Sequence, residues 1–140
     1  MVIVAAMEEV GGMSNECRDY YNDLRKNFDD ATNGLNYLPR GWVNSFVPQL
    51  KDELFDALGQ YAEDFCVLDC KEKYGNMRLY WHFPDRDYYT DEDYDYLEKL
   101  CPKIEDIINK YEVISGFICV KCGAPATHFK DGLPYCEEDN

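Results

Sequence analysis

The sequence predicts an α+β fold in which helices pack on a β-hairpin, with a separate cysteine-bearing module at the C-terminus. Apolar residues recur every three or four positions in three segments and alternate in a shorter one, and cysteines and turn-forming residues replace them near the end. At 140 residues the chain is long enough for one domain with a substantial core. We expect residues 1–112 to form the α+β body, with residues 1–14 frayed, and residues 113–140 to form the module.

Two of the helical segments lie in the first half of the chain. The first runs from Asn15 to Ala31, and the turn-forming pair Asn33-Gly34 ends it. The second begins near residues 39–41 and becomes regular only from Pro48, because proline is tolerated in a first helical turn and costly later. Their apolar stripes comprise Cys17, Tyr20, Tyr21, Leu24 and Phe28 in the first and Trp42, Phe46, Leu50, Leu54, Leu58 and Tyr61 in the second.

A third and longer helix is predicted to start after Thr90. The spacing of Thr90 and Asp93 is that of a capping box, with aspartate where glutamate is usual. Pro102 falls inside the apolar stripe and predicts a kink or a break near Cys101. The stripe comprises Leu97, Leu100, Cys101, Ile104, Ile107, Ile108 and Tyr111, and Ser115-Gly116 separates it from the module.

Residues 65–70 and 77–83 are predicted to be the two strands of the hairpin, joined by residues 71–76. A lone hairpin is barely stable in water, so we expect the helices to cover its apolar face. The second strand alternates in the period-2 pattern of a half-buried strand, with Met77, Leu79, Trp81 and Phe83 on one face and Arg78, Tyr80 and His82 on the other.

Three cysteines near the C-terminus have the spacing of a metal site. Cys119 and Cys122 form a Cys-x-x-Cys turn followed by Gly123, and Cys136 comes after thirteen intervening residues. Zinc takes four ligands in a tetrahedron, and such a turn presents two thiolates to one side of it. Because turn-forming residues fill the space between the two arms, the module has little apolar core of its own. We therefore predict a C-terminal zinc-knuckle module.

The fourth zinc ligand is open between two residues. Asp139 follows Cys136 with the same two-residue spacing as the first pair, which favours it, whereas His128 is the commoner kind of ligand but lies within the connecting loop. Three thiolates with Asp139 leave a formal charge of about −2 on the zinc site, and neutral His128 would leave about −1. Four protein ligands indicate a structural site, because a catalytic zinc needs an open coordination position.

The other four cysteines are predicted to be small buried apolar groups, because an unpaired cysteine is among the most buried residue types: Cys17, Cys66, Cys70 and Cys101. The odd total of seven cysteines and the lack of a recognisable secretory signal indicate reduced thiols in a cytoplasm.

The apolar residues 1–7 are expected to form a frayed tail or a strand. They are too short for a membrane span. Met7 and Met13 are alternative starts of the chain.

Charge is the strongest compositional signal. Twenty-eight acidic residues against fourteen basic ones give a net charge of −14, which repels nucleic acid and anionic membranes and favours basic surfaces. Direct nucleic-acid binding is not expected, since the module offers only Lys121 and Lys130 for phosphate contacts. Carboxylates interleaved with tyrosines in residues 85–98 predict a partner-binding surface, with a solvated helix start as the alternative; they are Asp85, Asp87, Asp91, Glu92, Asp93, Asp95 and Glu98.

Several motifs occur in an order that resembles a group of small phage and prophage zinc-knuckle proteins. They are Gly41-Trp42, then Lys71-Glu72-Lys73-Tyr74-Gly75 before Met77-Arg78-Leu79-Tyr80, then Cys119-x-x-Cys122-Gly-Ala-Pro125 and a last cysteine. The resemblance covers residues 37–139. Those proteins usually end in a Cys-x-x-His or Cys-x-x-Cys arm, whereas this chain ends in Cys136-x-x-Asp139.

In size, acidity and zinc knuckle the chain is also similar to metal-binding anti-CRISPR proteins that phages use against type II effector nucleases. This resemblance implies a non-enzymatic protein of the host cell cytoplasm that binds such a nuclease and blocks its access to target DNA. The expected contact is the recognition lobe or the basic DNA channel. Two alternatives stay open: a structural zinc-binding phage protein that binds another basic host factor, and a small metalloenzyme using Tyr80, His82, Cys66 or Cys70.

Overall fold

Four α-helices and a two-stranded antiparallel hairpin make up most of residues 15–139, the part of the chain described by this computed structural model. A small module carrying a cysteine cluster follows them. The predicted α+β fold with a C-terminal cysteine module is therefore confirmed. The expectations for residues 1–14, including the choice of starting methionine, lie outside the described residues.

The helices are α1 (Asn15–Ala31), α2 (Arg40–Ser45), α3 (Val47–Leu58) and α4 (Asp91–Ser115). The predicted second helix is thus two helices that meet at Phe46. Pro48 lies in the first turn of α3, where its missing N–H has no helical partner to lose. Short 3-10 helices at Asn33–Tyr37, Gly59–Asp64, Arg86–Tyr88 and Glu137–Asp139 connect the main elements.

Helix α4 starts where the sequence predicts, with the Asp93 N–H donating to the Thr90 hydroxyl at 3.2 Å. The Asp93 carboxylate accepts a hydrogen bond of 2.7 Å from the Tyr61 hydroxyl, so it links two elements. The helix continues without interruption through Pro102, so of the kink or break predicted near Cys101, the break is wrong and the kink stays a prediction. Packing explains this, because Leu100 and Ile104 on either side of the proline are both buried and hold the two halves against the core.

Strands β1 (Cys66–Lys73) and β2 (Asn76–His82) form the hairpin. Both turn residues between them have positive φ, 55° at Tyr74 and 87° at Gly75, which is the two-residue turn that strand twist favours. The connection is therefore shorter than the six residues predicted. The alternation along β2 is confirmed, since Met77 is fully buried while Tyr80 lies on the exposed side.

Helix α4 covers the free edge of β2 with polar side chains. The Met77 N–H donates to the Ser115 hydroxyl at 2.8 Å, and the Leu79 N–H donates to the Glu112 carboxylate at 3.1 Å. An open strand edge presents unpaired backbone groups. These two hydrogen bonds give two N–H groups of the β2 edge side-chain partners, so the edge can be covered by α4. The boundary predicted between residues 112 and 113 falls inside this helix.

The buried core is rich in rings, and its largest members are Trp42, Phe28, Phe55 and Phe65. The prediction that the other four cysteines are buried is wrong: Cys17 and Cys66 are exposed, and Cys70 and Cys101 are half-buried. The stripe of α1 is fully buried only in its C-terminal half, at Leu24 and Phe28, while Tyr21 is half-buried against Phe55. Cys66 lies at the exposed end of the hairpin. No helix in residues 15–139 combines the length and the hydropathy needed to cross a membrane.

Candidate metal centre

Tight backbone turns build the cysteine module. The Cys119 N–H donates to the Ala124 carbonyl at 2.8 Å, and the Gly123 N–H donates back to the Cys119 carbonyl at 3.0 Å. Gly123 has a φ of 85°, a conformation that glycine adopts without a steric cost. Strands β3 (His128–Lys130) and β4 (Leu133–Tyr135) form a short hairpin that returns the chain to this turn.

Four side chains converge between the turn and the end of the chain: Cys119, Cys122, Cys136 and Asp139, whose ligand atoms all lie within 4.8 Å of one another. The Sγ atoms of Cys122 and Cys136 are 3.6 Å apart, and Asp139 Oδ2 lies 3.3 Å from the Cys136 Sγ. In a tetrahedral site with metal–sulfur bonds of about 2.3 Å and metal–oxygen bonds of about 2.0 Å, ligands are separated by about 3.5 to 3.8 Å. The group therefore fits a tetrahedrally bound metal ion.

The short 3-10 turn Glu137–Asp139 places the carboxylate. Its closing hydrogen bond runs from the Asp139 N–H to the Cys136 carbonyl at 3.3 Å, so Asp139 folds back over the sulfurs. His128, the alternative fourth ligand, is not part of the converging group. Its Nδ1 pairs with the Thr127 hydroxyl at 3.1 Å and its ring stacks on Tyr135. The geometry thus brings Asp139, and not His128, to the cysteines.

Hydrogen bonds within the group shift the pKa values of its thiols and its carboxylate. Burial opposes ionisation of the Cys119 thiol, but hydrogen bonds from the backbone of Cys122, Cys136 and Lys121 outweigh it and lower its pKa. The neighbouring Asp139 carboxylate raises the pKa of the Cys122 thiol to about 12, and the thiols in turn lower the pKa of Asp139. A bound cation replaces the shared protons, because metals bind deprotonated thiols and carboxylates.

The arrangement suits a structural metal ion. Four protein ligands fill a tetrahedron, whereas a catalytic metal keeps one position for water or substrate. Of the residues considered as catalytic alternatives, Cys70 has its thiol pKa raised to about 12 by burial and by the nearby Asp69 and Glu112 carboxylates. That shift opposes a thiolate nucleophile at neutral pH. The absence of catalytic activity stays a prediction.

The module is joined to the body through Gly41 and Trp42. The Gly41 N–H donates to the Val120 carbonyl at 2.8 Å, and the Trp42 indole N–H donates to the Ile118 carbonyl at 3.0 Å. A Cβ atom on Gly41 would lie only 2.1 Å from the Cys119 carbonyl oxygen. Only glycine allows so close an approach, so this contact with the Cys-x-x-Cys turn requires Gly41 to lack a side chain.

Gly41 and Trp42 belong to the motifs of the resemblance, and nothing in their local sequence predicts a role at the metal centre. The apolar residues at the start of α2 do not indicate that the Trp42 indole bonds to Ile118, 76 residues away along the chain. Such a contact has no local periodicity.

The predicted partner-binding acids lie around the start of α4. Asp85 caps the 3-10 helix Arg86–Tyr88, Asp87 lies within it, and the others lie on the first two to three turns of α4. Six of the seven are exposed; the half-buried one is Asp93, which bonds to Tyr61. Acidic groups in a first helical turn also stabilise the helix through its dipole, so the solvated helix start accounts for part of the cluster.

Comparisons with protein-family models, with curated proteins and with solved structures find no match to this chain. The resemblance to phage zinc-knuckle and anti-CRISPR proteins therefore stays a prediction. What the molecule does has to be inferred from its cysteine module and its acidic surface.

Proposed function

We propose that this protein is a phage-encoded anti-CRISPR protein that acts without chemistry in the host cell cytoplasm. It binds a type II CRISPR effector nuclease, at the recognition lobe or in the DNA channel, and blocks access to target DNA. One observation carries the proposal: six exposed carboxylates lie within residues 85–98 of a chain with a net charge of −14. The resemblance in size, acidity and knuckle supports the same partner.

The physics of such an encounter favours an acidic inhibitor. A CRISPR effector holds its guide and target in a positively charged channel that recognises backbone geometry and not sequence. Complementary charge steers association and raises the association rate constant, and the effect weakens as salt screens it. An acidic protein with a rigid surface therefore competes with DNA for the same basic residues.

Zinc is the metal we propose for the cysteine group. Three thiolates and one carboxylate form a soft, four-coordinate donor set, which suits zinc and disfavours the oxygen-seeking magnesium and calcium ions. Elemental analysis of the purified protein is expected to find one zinc ion per chain. Protein that folds stably with no bound metal, or with a different metal in the same cysteines, would contradict this part of the proposal.

The binding surface is tested by reversing Asp85, Asp87 and Asp95 to lysine. These residues are exposed, and all three lie outside the first turn of α4, so reversal spares both the helix cap and the Asp93–Tyr61 bond. A matched control reverses three exposed acids elsewhere, at Asp30, Asp56 and Asp106. Both variants change the net charge by the same amount.

The measurement is the dissociation constant for a guide-loaded type II nuclease at low and at high salt, together with inhibition of target cleavage. We expect the first variant to bind at least about tenfold more weakly, because close charge pairs at interfaces contribute more than 1 kcal/mol each. The control variant should bind only slightly more weakly, because its net charge alone has changed. If both variants lose the same affinity for the nuclease, residues 85–98 are not the contact surface. Failure of the unmodified protein to bind or inhibit the nuclease would refute the proposal and leave another basic host factor as the partner.

A further inference from the structure

A cavity of about 260 Å³ lies beside the acidic segment, between the end of β2 and the start of α4. Four of its nine lining residues carry aromatic rings, namely Trp81, Phe83, Tyr89 and Tyr94, and Glu98 lines it as well. Pockets for drug-sized molecules begin at about 300 Å³. The cavity therefore suits one long side chain better than a cofactor or a metabolite.

The rings of this cavity are held in place by their own packing. Trp81 stacks on the buried Phe65 with centroids 5.5 Å apart, and Phe83 meets Trp81 edge to face at 5.7 Å. The Tyr89 hydroxyl donates to the Asp64 carboxylate at 3.0 Å. Because these rings already have fixed partners, little ordering is needed when a ligand enters.

The edge of the cavity already accepts a guanidinium group from within the chain. Arg86 lies over the Tyr94 ring, with its Cζ 4.6 Å from the centroid, and its Nη2 pairs with the Asp91 carboxylate at 3.3 Å. Ring faces attract cations through their quadrupole, and a carboxylate beside them adds a charged acceptor. Tyr94 and Glu98 both line the cavity, so an aromatic ring and an acidic side chain are available there as well.

We propose that this cavity binds an arginine side chain of the basic partner. A planar guanidinium stacks on aromatic faces and pairs with a carboxylate in two places, whereas a lysine ammonium is a strongly hydrated point charge. Entry of one arginine would anchor the partner next to the exposed carboxylates of residues 85–98. The identity of the partner rests on the proposed function, but the chemistry of the cavity does not.

The cavity is tested first on the isolated protein with three short peptides, Gly-Arg-Gly, Gly-Lys-Gly and Gly-citrulline-Gly, each blocked at both ends. Citrulline keeps the shape of arginine without its charge. Trp81 lines the cavity while Trp42 is fully buried, so tryptophan fluorescence reports on the site. Saturable binding of the arginine peptide alone is expected. Equal binding of the citrulline or lysine peptide would overturn the assignment.

Two variants then separate the ring from the charge. Tyr94→Leu keeps an apolar side chain but removes the ring face, and Glu98→Gln removes the charge at nearly constant size. Each should weaken binding of the arginine peptide about five- to tenfold. The control is Asp106→Asn, an exposed acid on α4 away from the cavity, and it should bind unchanged. Unaltered binding by both cavity variants would refute the inference.

The same variants distinguish this inference from the proposed function. If Tyr94→Leu and Glu98→Gln bind the guide-loaded nuclease as well as the unmodified protein does, the cavity is not the anchor, and the inference fails while the proposed function stands. If the arginine peptide binds in the cavity but the nuclease is never bound, the proposed function fails and the cavity stands. Loss of both peptide and nuclease binding in these variants supports both.

Discussion

Asp139 completes the cysteine group with a carboxylate where a thiolate or an imidazole is more usual. Replacing it with alanine removes one of four ligands, so zinc affinity should fall by more than the roughly 10- to 100-fold typical of outer-shell partners. Competition with a chromophoric chelator measures this loss. The matched variant is His128→Ala, which should leave affinity unchanged because His128 lies outside the group. If His128→Ala lowers the zinc affinity and Asp139→Ala does not, the fourth ligand is His128.

The residues of the metal centre were largely predictable, and the reason is their spacing. Cys-x-x-Cys and a distant third cysteine imply a metal at the level of sequence alone. Spacing favoured Asp139 over His128, and the structure brings Asp139 to the cysteines, but spacing alone left His128 open because it does not show which way a loop closes. The short turn from Glu137 to Asp139 decides it, through one backbone hydrogen bond. Contacts across the chain, such as that of Gly41, have no sequence pattern at all.

Gly41 offers a second test at the scale of one residue. Gly41→Ala would put a Cβ within 2.1 Å of the Cys119 carbonyl oxygen and 2.7 Å of the Gly123 nitrogen. Because backbone atoms cannot yield as a flexible side chain does, we expect a loss of about 1 to 3 kcal/mol in the free energy of unfolding. Gly34→Ala is the control, since nothing lies within 4 Å of its added Cβ. Urea denaturation measures both; equal stability of the two variants would contradict the close approach.

Between elements, the joint of α4 and β2 depends on Ser115. Its hydroxyl accepts from the Met77 N–H at 2.8 Å and donates to the Glu112 carbonyl at 2.6 Å, and the side chain is fully buried. Ser115→Ala would leave the Met77 N–H buried without a partner, at a cost of about 1 to 3 kcal/mol. Thermal unfolding should show the loss, while the exposed Asn109→Ala on the same helix should change stability much less. Faster hydrogen exchange at Met77 would confirm the cause.

At the level of elements, sequence periodicity predicted the helices and the alternation of β2, and it failed where tertiary packing decides. The buried neighbours Leu100 and Ile104 keep α4 continuous across Pro102, although proline alone disfavours a helix. The stripe of α1 is regular throughout, yet only Leu24 and Phe28 are buried. Periodicity identifies the apolar face of a helix but not how much of that face another element covers.

Across the whole molecule, the cysteine module and the body share backbone contacts. Besides the bonds at Gly41 and Trp42, a Cβ on Gly75 in the hairpin turn would lie 2.6 Å from the Gly132 carbonyl oxygen. The module therefore meets the body both beside α2 and at the tip of the β1–β2 hairpin. Because the module contacts the body in two regions that are far apart in sequence, folding of the module should stabilise the body.

Metal removal should therefore lower the melting temperature of the entire chain. Zinc at about 1,000 times its dissociation constant adds about 4 kcal/mol to the free energy of unfolding, and a chelator takes this contribution away. We expect two unfolding transitions, the loss of helix seen by circular dichroism and the exposure of the buried Trp42, to move together to a lower temperature. They are coupled because the Trp42 indole donates to the Ile118 carbonyl within the module. A Cys119→Ser, Cys136→Ser variant should melt at that lower temperature with or without chelator. If the chelator leaves the unfolding temperature of the helices unchanged and affects only the module, then the body and the module unfold independently. In that case the metal does not stabilise the surface at residues 85–98.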